Sequence, residues 1–356
     1  MSKPTTIREV ATYAGVSTAT ASRALNNPDY PMSAQVRQRV QEAAQRLGYA
    51  PNLMARSLRQ ERVRDVGLVL PNLSNPFYMQ MMMGINDVLT KNDYSMILYD
   101  TRRSQEQERS CLRKLYERQV KGVMLSSSEQ SADSVQEFTQ RGMKFVLLDQ
   151  QLAGSQNPGI HFDSRAGTKI AVSYLISLGH QRIAFATMPL IRWTRMEMYQ
   201  GYREALISAN IPCQEELLYE TQMYEENVDT DHELRAGMEI ARKFIADGCP
   251  ATAIQCVNDM VAIGVIRQLQ ESGIQVPGDV SVIGFDDIPI AEAVAPALTT
   301  IRYPAFDAGR LAALMLMDML NNTESTMAIS MNLAPQLIIR DTVKPLGDGG
   351  LRQAQQ

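Results

Sequence analysis

From Val66 onward the chain alternates two kinds of segment. Short apolar runs at 66–70, 96–99, 122–125, 145–148, 183–186, 253–257 and 280–285 are separated by amphipathic stretches such as 105–118, 166–178, 234–246 and 260–272. Uninterrupted apolar runs suit strands buried on both faces, and parallel strands need crossovers long enough to hold a helix. The pattern therefore predicts parallel sheets with helices on both faces. The stretch 63–342 is about 280 residues, more than one core ordinarily serves, so two α/β lobes are expected. In such sheets ligands bind beyond the carboxyl ends of the strands. The polar and aromatic residues just after the apolar runs are then the candidates: Asn75 and Phe77, Asp149, Arg192 and Trp193, Asn258, and Asp286. Carboxylates and amides beside aromatic rings suit a polyhydroxylated ligand. The same residues also serve as helix caps or strand-end turns, Phe77 equally suits a core, and Trp193, the only tryptophan, is open to exposure or cleft lining.

The first 62 residues differ in kind. They hold nine Lys or Arg against four acids, a net of +5, while the whole chain carries −4, so the remainder carries −9. A basic head on an acidic body suggests a head that meets a polyanion, although an ordinary charged helical face has the same composition. Thr6 and Glu9 form a capping box, Ile7, Val10, Ala11 and Ala14 share one helical face, and Gly15 stops that helix. Ser17 starts a second short helix over 18–25, with Ala21, Ala24 and Leu25 available for packing. Ser33 starts a third, with Val36, Val40, Ala43, Ala44 and Leu47 facing inward and Gly48 at its end. A glycine corner between short helices with small residues at their crossing is what a helix-turn-helix requires. After it, Asn52 can cap about two turns of helix over 53–59, too short to persist alone in water.

Residues 6–26, Thr-Ile-Arg-Glu-Val-Ala-Thr-Tyr-Ala-Gly-Val-Ser-Thr-Ala-Thr-Ala-Ser-Arg-Ala-Leu-Asn, closely resemble the opening of lactose-repressor (LacI/GalR) family transcription regulators. Arg-Leu-Gly-Tyr-x-Pro-Asn-x-x-Ala-Arg-Ser-Leu over 46–58 resembles the same family's third helix and hinge, and the resemblance runs through the body. It implies an all-α helix-turn-helix head at 1–50, a hinge helix and linker at 51–62, and a two-lobed α/β body of the periplasmic-binding-protein type (type I). One lobe is expected over 63–163 and 291–322, the other over 164–290 and 323–342, with a polar tail at 343–356. On that pattern Thr18, Ala19 and Arg23 lie on the major-groove face, and Arg23 suits a bidentate contact to guanine. Ser17, Thr20, Ser22 and Asn26 suit phosphate contacts or caps, and Thr6 joins the DNA-contacting set. In the hinge, Leu58 is expected to wedge into a minor-groove step at the operator dyad, with Ala55, Arg56 and Arg59 beside it. The resemblance implies ligand contacts at Asn75, Asp149, Phe162, Arg192, Asn258 and Asp286, with Phe162 in a crossover between lobes and core packing its alternative. Two positions depart from the pattern: many members have Arg after the strand-end Asp and Arg three residues before the next helix glycine, where Gln150 and Met198 stand. Either Arg192 or Arg195 reaches in instead, or the ligand is less oxygen-rich than a common sugar.

The expected partners are a pseudo-palindromic operator with a central CG step, a small carbohydrate and a second copy of the chain. The dimer face is expected on the helix after Pro76, whose Met79, Met81, Met82, Met83, Ile85 and Val88 exceed one buried stripe, although core packing accounts for part of that excess. No cofactor or metal is expected. The four cysteines form no CxxC pair, and His161, His180 and His232 sit in no metal or nucleophile motif. No P-loop or dinucleotide fingerprint appears, so an enzyme is not expected. No signal-peptide pattern or membrane-length apolar run occurs, which predicts a cytoplasmic bacterial protein. A solute-binding protein of a transport system has the same type of body, but it needs a signal peptide and has no use for the head.

Overall fold

The computed structural model describes residues 5–27, 30–49, 64–221, 231–322 and 330–346, in two compact units, Met1–Arg64 and Asp65–Gln356. The first is a three-helix bundle of α1 (Ile7–Ala14), α2 (Thr18–Asn26) and α3 (Ala34–Arg46). The capping box forms as the residues require: Thr6 Oγ1 accepts from the Glu9 amide at 3.4 Å and Glu9 Oε2 accepts from the Thr6 amide at 2.6 Å. Gly15 takes a left-handed φ of 64°, which lets the chain turn sharply into Ser17, whose hydroxyl caps α2 by accepting from Thr20 N at 3.1 Å. Val10, Ala11, Ala14, Ala21, Ala24, Val40, Ala43 and Ala44 form the core. Mostly alanine, it lets thin helices cross closely. Arg37 binds the end of α2 to α3 by donating to the carbonyls of Ala24, Asn27 and Tyr30.

The body begins with β1 (Asp65–Leu70), α4 (Pro76–Lys91), β2 (Ser95–Asp100), α5 (Gln105–Glu117), β3 (Gly122–Leu125), α6 (Asp133–Gln140), β4 (Lys144–Asp149) and β5 (Gly159–Phe162). It continues with α7 (Ser164–Ser177), β6 (Ile183–Thr187), α8 (Trp193–Ser208), β7 (Leu218–Glu220), α9 (His232–Ala246), β8 (Ala253–Cys256), α10 (Asp259–Glu271) and β9 (Ser281–Ile283). The last elements are α11 (Ile290–Ala293), β10 (Thr300–Arg302), α12 (Ala305–Asn321), β11 (Ser330–Leu333) and β12 (Gln336–Ile338). A six-stranded parallel sheet has the order β11-β5-β4-β3-β1-β2, and a four-stranded parallel sheet the order β7-β6-β8-β9. The antiparallel pair β10-β12 adjoins the second sheet through bridges Ile283–Thr299 and Asp286–Arg302. The chain thus passes between sheets at 162–164, 302–305 and 333–336.

These crossings differ from the expected lobe boundaries. Residues 291–303 stay with the second sheet, because β10 continues the β9 edge, and 330–333 belong to the first, because β11 pairs with β5. Long-range pairing sets both, and neither leaves a local apolar signature. Val343–Leu346, assigned to the tail, are docked on the second lobe: Lys344 N donates to Ser281 Oγ at 3.2 Å and Leu346 N to Leu178 O at 2.8 Å. The hinge candidates Ala55, Arg56, Leu58 and Arg59 lie outside the described residues.

In α4, Met81, Ile85 and Val88 are core and Met82 is half-buried, whereas Met79 and Met83 are exposed. Only part of the expected apolar face is therefore outward. The α4–α12 crossing is close enough to demand glycine: a Cβ on Gly84 would stand 1.9 Å from Phe306 O, and one on Gly309 would stand 2.0 Å from Met81 O. Among the described residues no helix is long and apolar enough to cross a membrane, and no metal-binding group of His, Cys, Asp or Glu is found.

Candidate functional site

The parallel strands of both sheets run their carboxyl ends toward one cleft, and the helices that follow begin there. About 550 Å³ of empty space, mouth included, lies between them. Its floor is a row of rings running from one lobe to the other. Phe77 meets Phe162 edge-on at 5.4 Å, Phe162 meets Tyr303 at 4.5 Å, and Tyr303 meets Phe285 at 5.4 Å. Phe162 and Tyr303 sit at two of the interlobe crossings.

The polar wall is held by helix starts. Asn75 caps α4, its side-chain oxygen accepting from Phe77 N at 2.9 Å, and Asn258 caps α10 by accepting from Val261 N at 2.8 Å. Since the carbonyl of each amide caps, the NH₂ is left as donor: that of Asn75 serves Asp286, and that of Asn258 remains to donate into the cavity that both residues line. The strand-end aspartates are turned inward by left-handed backbone, with φ 65° at Asp149 and 111° at Asp286. Such conformations are unfavourable for residues other than glycine and cluster at functional sites. Burial raises the Asp149 carboxyl above the usual range, against the opposing pull of the Arg192 charge and a 3.4 Å hydrogen bond from Tyr78. Burial pushes Asp286 further up, helped by the negative charges of Asp259, Glu233 and Asp149. Arg103, with a left-handed φ of 60°, reaches from the first lobe to form a buried ion pair with Glu233 at the start of α9 in the second. Asn72 also donates to Glu233, at 3.4 Å. Gln130 donates to the Ile191 carbonyl as a further interlobe bond.

Seven of the eight effector candidates line this cavity: Asn75, Phe77, Asp149, Phe162, Arg192, Asn258 and Asp286. Phe77 and Phe162 are also core, at 5% and 2% exposure, so the two readings of these rings coexist. Trp193 is the exception. It is the first residue of α8 rather than part of a loop, it is half-buried, and it does not line the cavity, whereas Thr194 and Arg195 do. One residue of helical advance rotates a side chain by about 100°, enough to point it away. Met198 is in the wall, while Gln150 is buried and donates to the Ser127 carbonyl. Sequence reasoning missed Tyr78, Arg103, Glu233 and Tyr303. Arg103 follows the second strand as Asn75 follows the first and could have been found by the same rule; Tyr303 follows a strand of three residues, too short to notice.

On the head, Thr18, Ala19 and Arg23 are exposed along α2. Arg23 Nη1 donates to Tyr30 Oη at 2.9 Å and its guanidinium stands 4.9 Å from the Tyr30 ring centre. Thr6, Ser17, Thr20, Ser22 and Asn26 all take part in local hydrogen bonds, with Asn26 Nδ2 donating to Ser22 O at 2.9 Å.

These features define a helix-turn-helix head followed in the chain by a two-lobed α/β body with a polar cavity between its lobes. Residues 6–52 match the family described as bacterial regulatory proteins, lacI family, and 172–343 match the periplasmic binding protein-like domain. The HTH-type transcriptional repressor PurR of Vibrio parahaemolyticus is 32% identical over 96% of this chain and 99% of its own. The lac repressor dimer bound to operator and the anti-inducer ONPF is similar at a TM-score of 0.81, with 26% identity over 96% of this chain and all of that one. A LacI family regulator from Enterococcus faecium with bound ribose is similar at 0.70, with 29% identity over 79% of this chain and 99% of that one. The chain belongs to the LacI family of bacterial regulatory proteins and is a helix-turn-helix transcription regulator.

Proposed function

We propose that the chain is a homodimeric repressor of a carbohydrate-utilisation operon, whose grip on operator DNA is set by a small polyhydroxylated ligand in the interlobe cavity. The observation that carries this reading is that both lobes build the cavity wall, so occupancy and lobe angle are coupled. A tenfold change in operator affinity needs only ~1.4 kcal/mol of that coupling, within the usual range for allostery. Asn75, Asp149, Arg192, Asn258 and Asp286 supply the polar contacts in this scheme, and Phe77 and Phe162 the apolar face. Thr18, Ala19 and Arg23 read bases, Thr6, Ser17, Thr20, Ser22 and Asn26 position the head, and Ala55, Arg56, Leu58 and Arg59 engage the operator centre. The head at 1–50 and hinge at 51–62 form the DNA-binding part. The outward Met79 and Met83 of α4, with exposed Phe306 and Leu314 of α12, supply an apolar surface for the second copy. The protein works as a cytoplasmic regulator without catalysis.

Selection of bound genomic fragments, followed by gel shifts in the presence of a carbohydrate panel, tests the reading. A pseudo-palindrome with a central CG step, retained or released in response to one sugar class, is expected. Failure to retain any such sequence would sink it.

A further inference from the structure

Arg192 is 9% exposed and lines the cavity, yet its Nε and Nη2 are both buried without a hydrogen-bond partner. Those two atoms form one edge of the guanidinium, where two N–H bonds run parallel and match the two oxygens of a carboxylate or phosphate. Among the described residues no carboxylate lies within ion-pairing distance of it. The other cavity cations are committed: Arg103 is paired with Glu233, and Arg195 Nη1 donates to Pro189 O at 3.0 Å, holding the loop before α8. Arg192 is also the residue immediately before α8, a helix of sixteen residues whose first turn has no side-chain cap. Thr194, in that turn, lines the same cavity as Arg192, and this helix end favours negative charge.

The carboxylates of the cavity are engaged elsewhere or held back by burial. Glu233 is neutralised by Arg103, and burial among other carboxylates favours the protonated form of Asp286. Asp149 lines the same cavity and feels the Arg192 charge, yet no ion pair joins the two. A vicinal diol can accept both N–H bonds of that edge but leaves the charge of Arg192 uncompensated, whereas a carboxylate or phosphate satisfies both.

We infer that the ligand of this cavity carries an anionic group, a carboxylate or a phosphate, gripped by Arg192 and the first turn of α8. The inference deepens the effector reading above and rests on it.

Calorimetry on the full chain with matched pairs tests it: galactose against galacturonate, and glucose against glucuronate and glucose 6-phosphate. Inorganic phosphate, read by thermal shift, is a bare probe. Expected is one acid bound about tenfold or more tighter than its neutral counterpart. Arg192→Met should abolish that preference, and Arg192→Lys, which keeps the charge without the parallel edge, should retain only part of it. Phosphate should raise the melting midpoint of the unaltered protein more than that of Arg192→Met. A preference for uronates identifies a carboxylate, and one for the phosphate ester a phosphate. Neutral sugars that bind as tightly as their acids overturn the inference, and so does equal stabilisation of both proteins by phosphate. If a neutral sugar alters operator retention equally in both proteins, the anion inference fails and the effector reading stands. If an acid binds through Arg192 without altering operator retention, the effector reading fails and the anion site stands.

Discussion

Replacing Glu233 by Gln removes one charge from an ion pair that bridges the lobes, whose side chains are each only 4% exposed. The amide can still accept from Arg103, but the buried pair loses its negative charge inside the cleft. Breaking a buried pair from one side costs about 3–5 kcal/mol, because the orphaned charge stays desolvated. Here the molecule has an escape: parting the lobes returns Arg103 to water. The cost should therefore appear as a bias toward an open body rather than as global unfolding. At ~1.4 kcal/mol per factor of ten, a ligand that needs the closed form should lose about a hundredfold or more in affinity. Small-angle scattering of the unliganded protein should show a larger radius of gyration, and the fluorescence of Trp193, half-buried at the start of α8, should change. The double variant Arg103→Met/Glu233→Leu should recover most of the affinity, since apolar replacement of a buried pair is often near neutral. An unchanged radius with ligand affinity within about twofold of the unaltered protein would refute the latch, for then the pair does not govern closure.

Gly84→Ala should lower the urea midpoint by the equivalent of about 1–3 kcal/mol, since its methyl would collide with the Phe306 carbonyl and push α12 from α4. Arg23→Met should cost ~1–3 kcal/mol of operator discrimination, visible as relaxed specificity in competition gel shifts, and Tyr30→Phe, which removes the hydroxyl 2.9 Å from Nη1, should cost less. Burial raises the carboxyl of Asp259 to about 7, although Thr300 Oγ1 and Ile288 N donate to it. The folded state then holds a proton that the unfolded chain has lost, so this contribution is full below the ordinary Asp range and disappears as pH rises through about 7. Melting midpoints should accordingly fall between pH 5.5 and 8, and Asp259→Asn should flatten that slope; a slope unchanged in the variant would remove Asp259 as its cause.

The legible parts of the chain were those where physics is local. The capping box at Thr6, the turn at Gly15 and the caps at Ser17 and Ser33 follow from residue types a few positions apart, and each forms. The long apolar runs became parallel strands for the same reason. What escaped depends on distant partners. Ser330–Leu333 is exposed over three of its four residues, so no periodicity announces a strand, and only pairing with Gly159–Phe162 makes it one. Arg37 resembles any surface arginine until its three carbonyl partners are in view. Helix cap and ligand contact, alternatives in the sequence for Asn75 and Asn258, are compatible in space because an amide has two ends. Trp193 shows the reverse, since proximity to a strand end does not specify direction.

The late arrival of β11 bears on how the protein is made. The first sheet is missing its edge until residue 330 is available, about 170 residues after β5 has been synthesised, or roughly ten to thirty seconds at ordinary elongation rates. During that interval the backbone donors and acceptors of Gly159–Phe162 face outward as an unpaired strand, able to pair with a neighbouring nascent chain. The four residues that finally cover it carry Ser330 and Asn332 on exposed positions, a polar hem on an otherwise apolar layer. Messages truncated before this strand should yield chains that aggregate rather than a free first lobe.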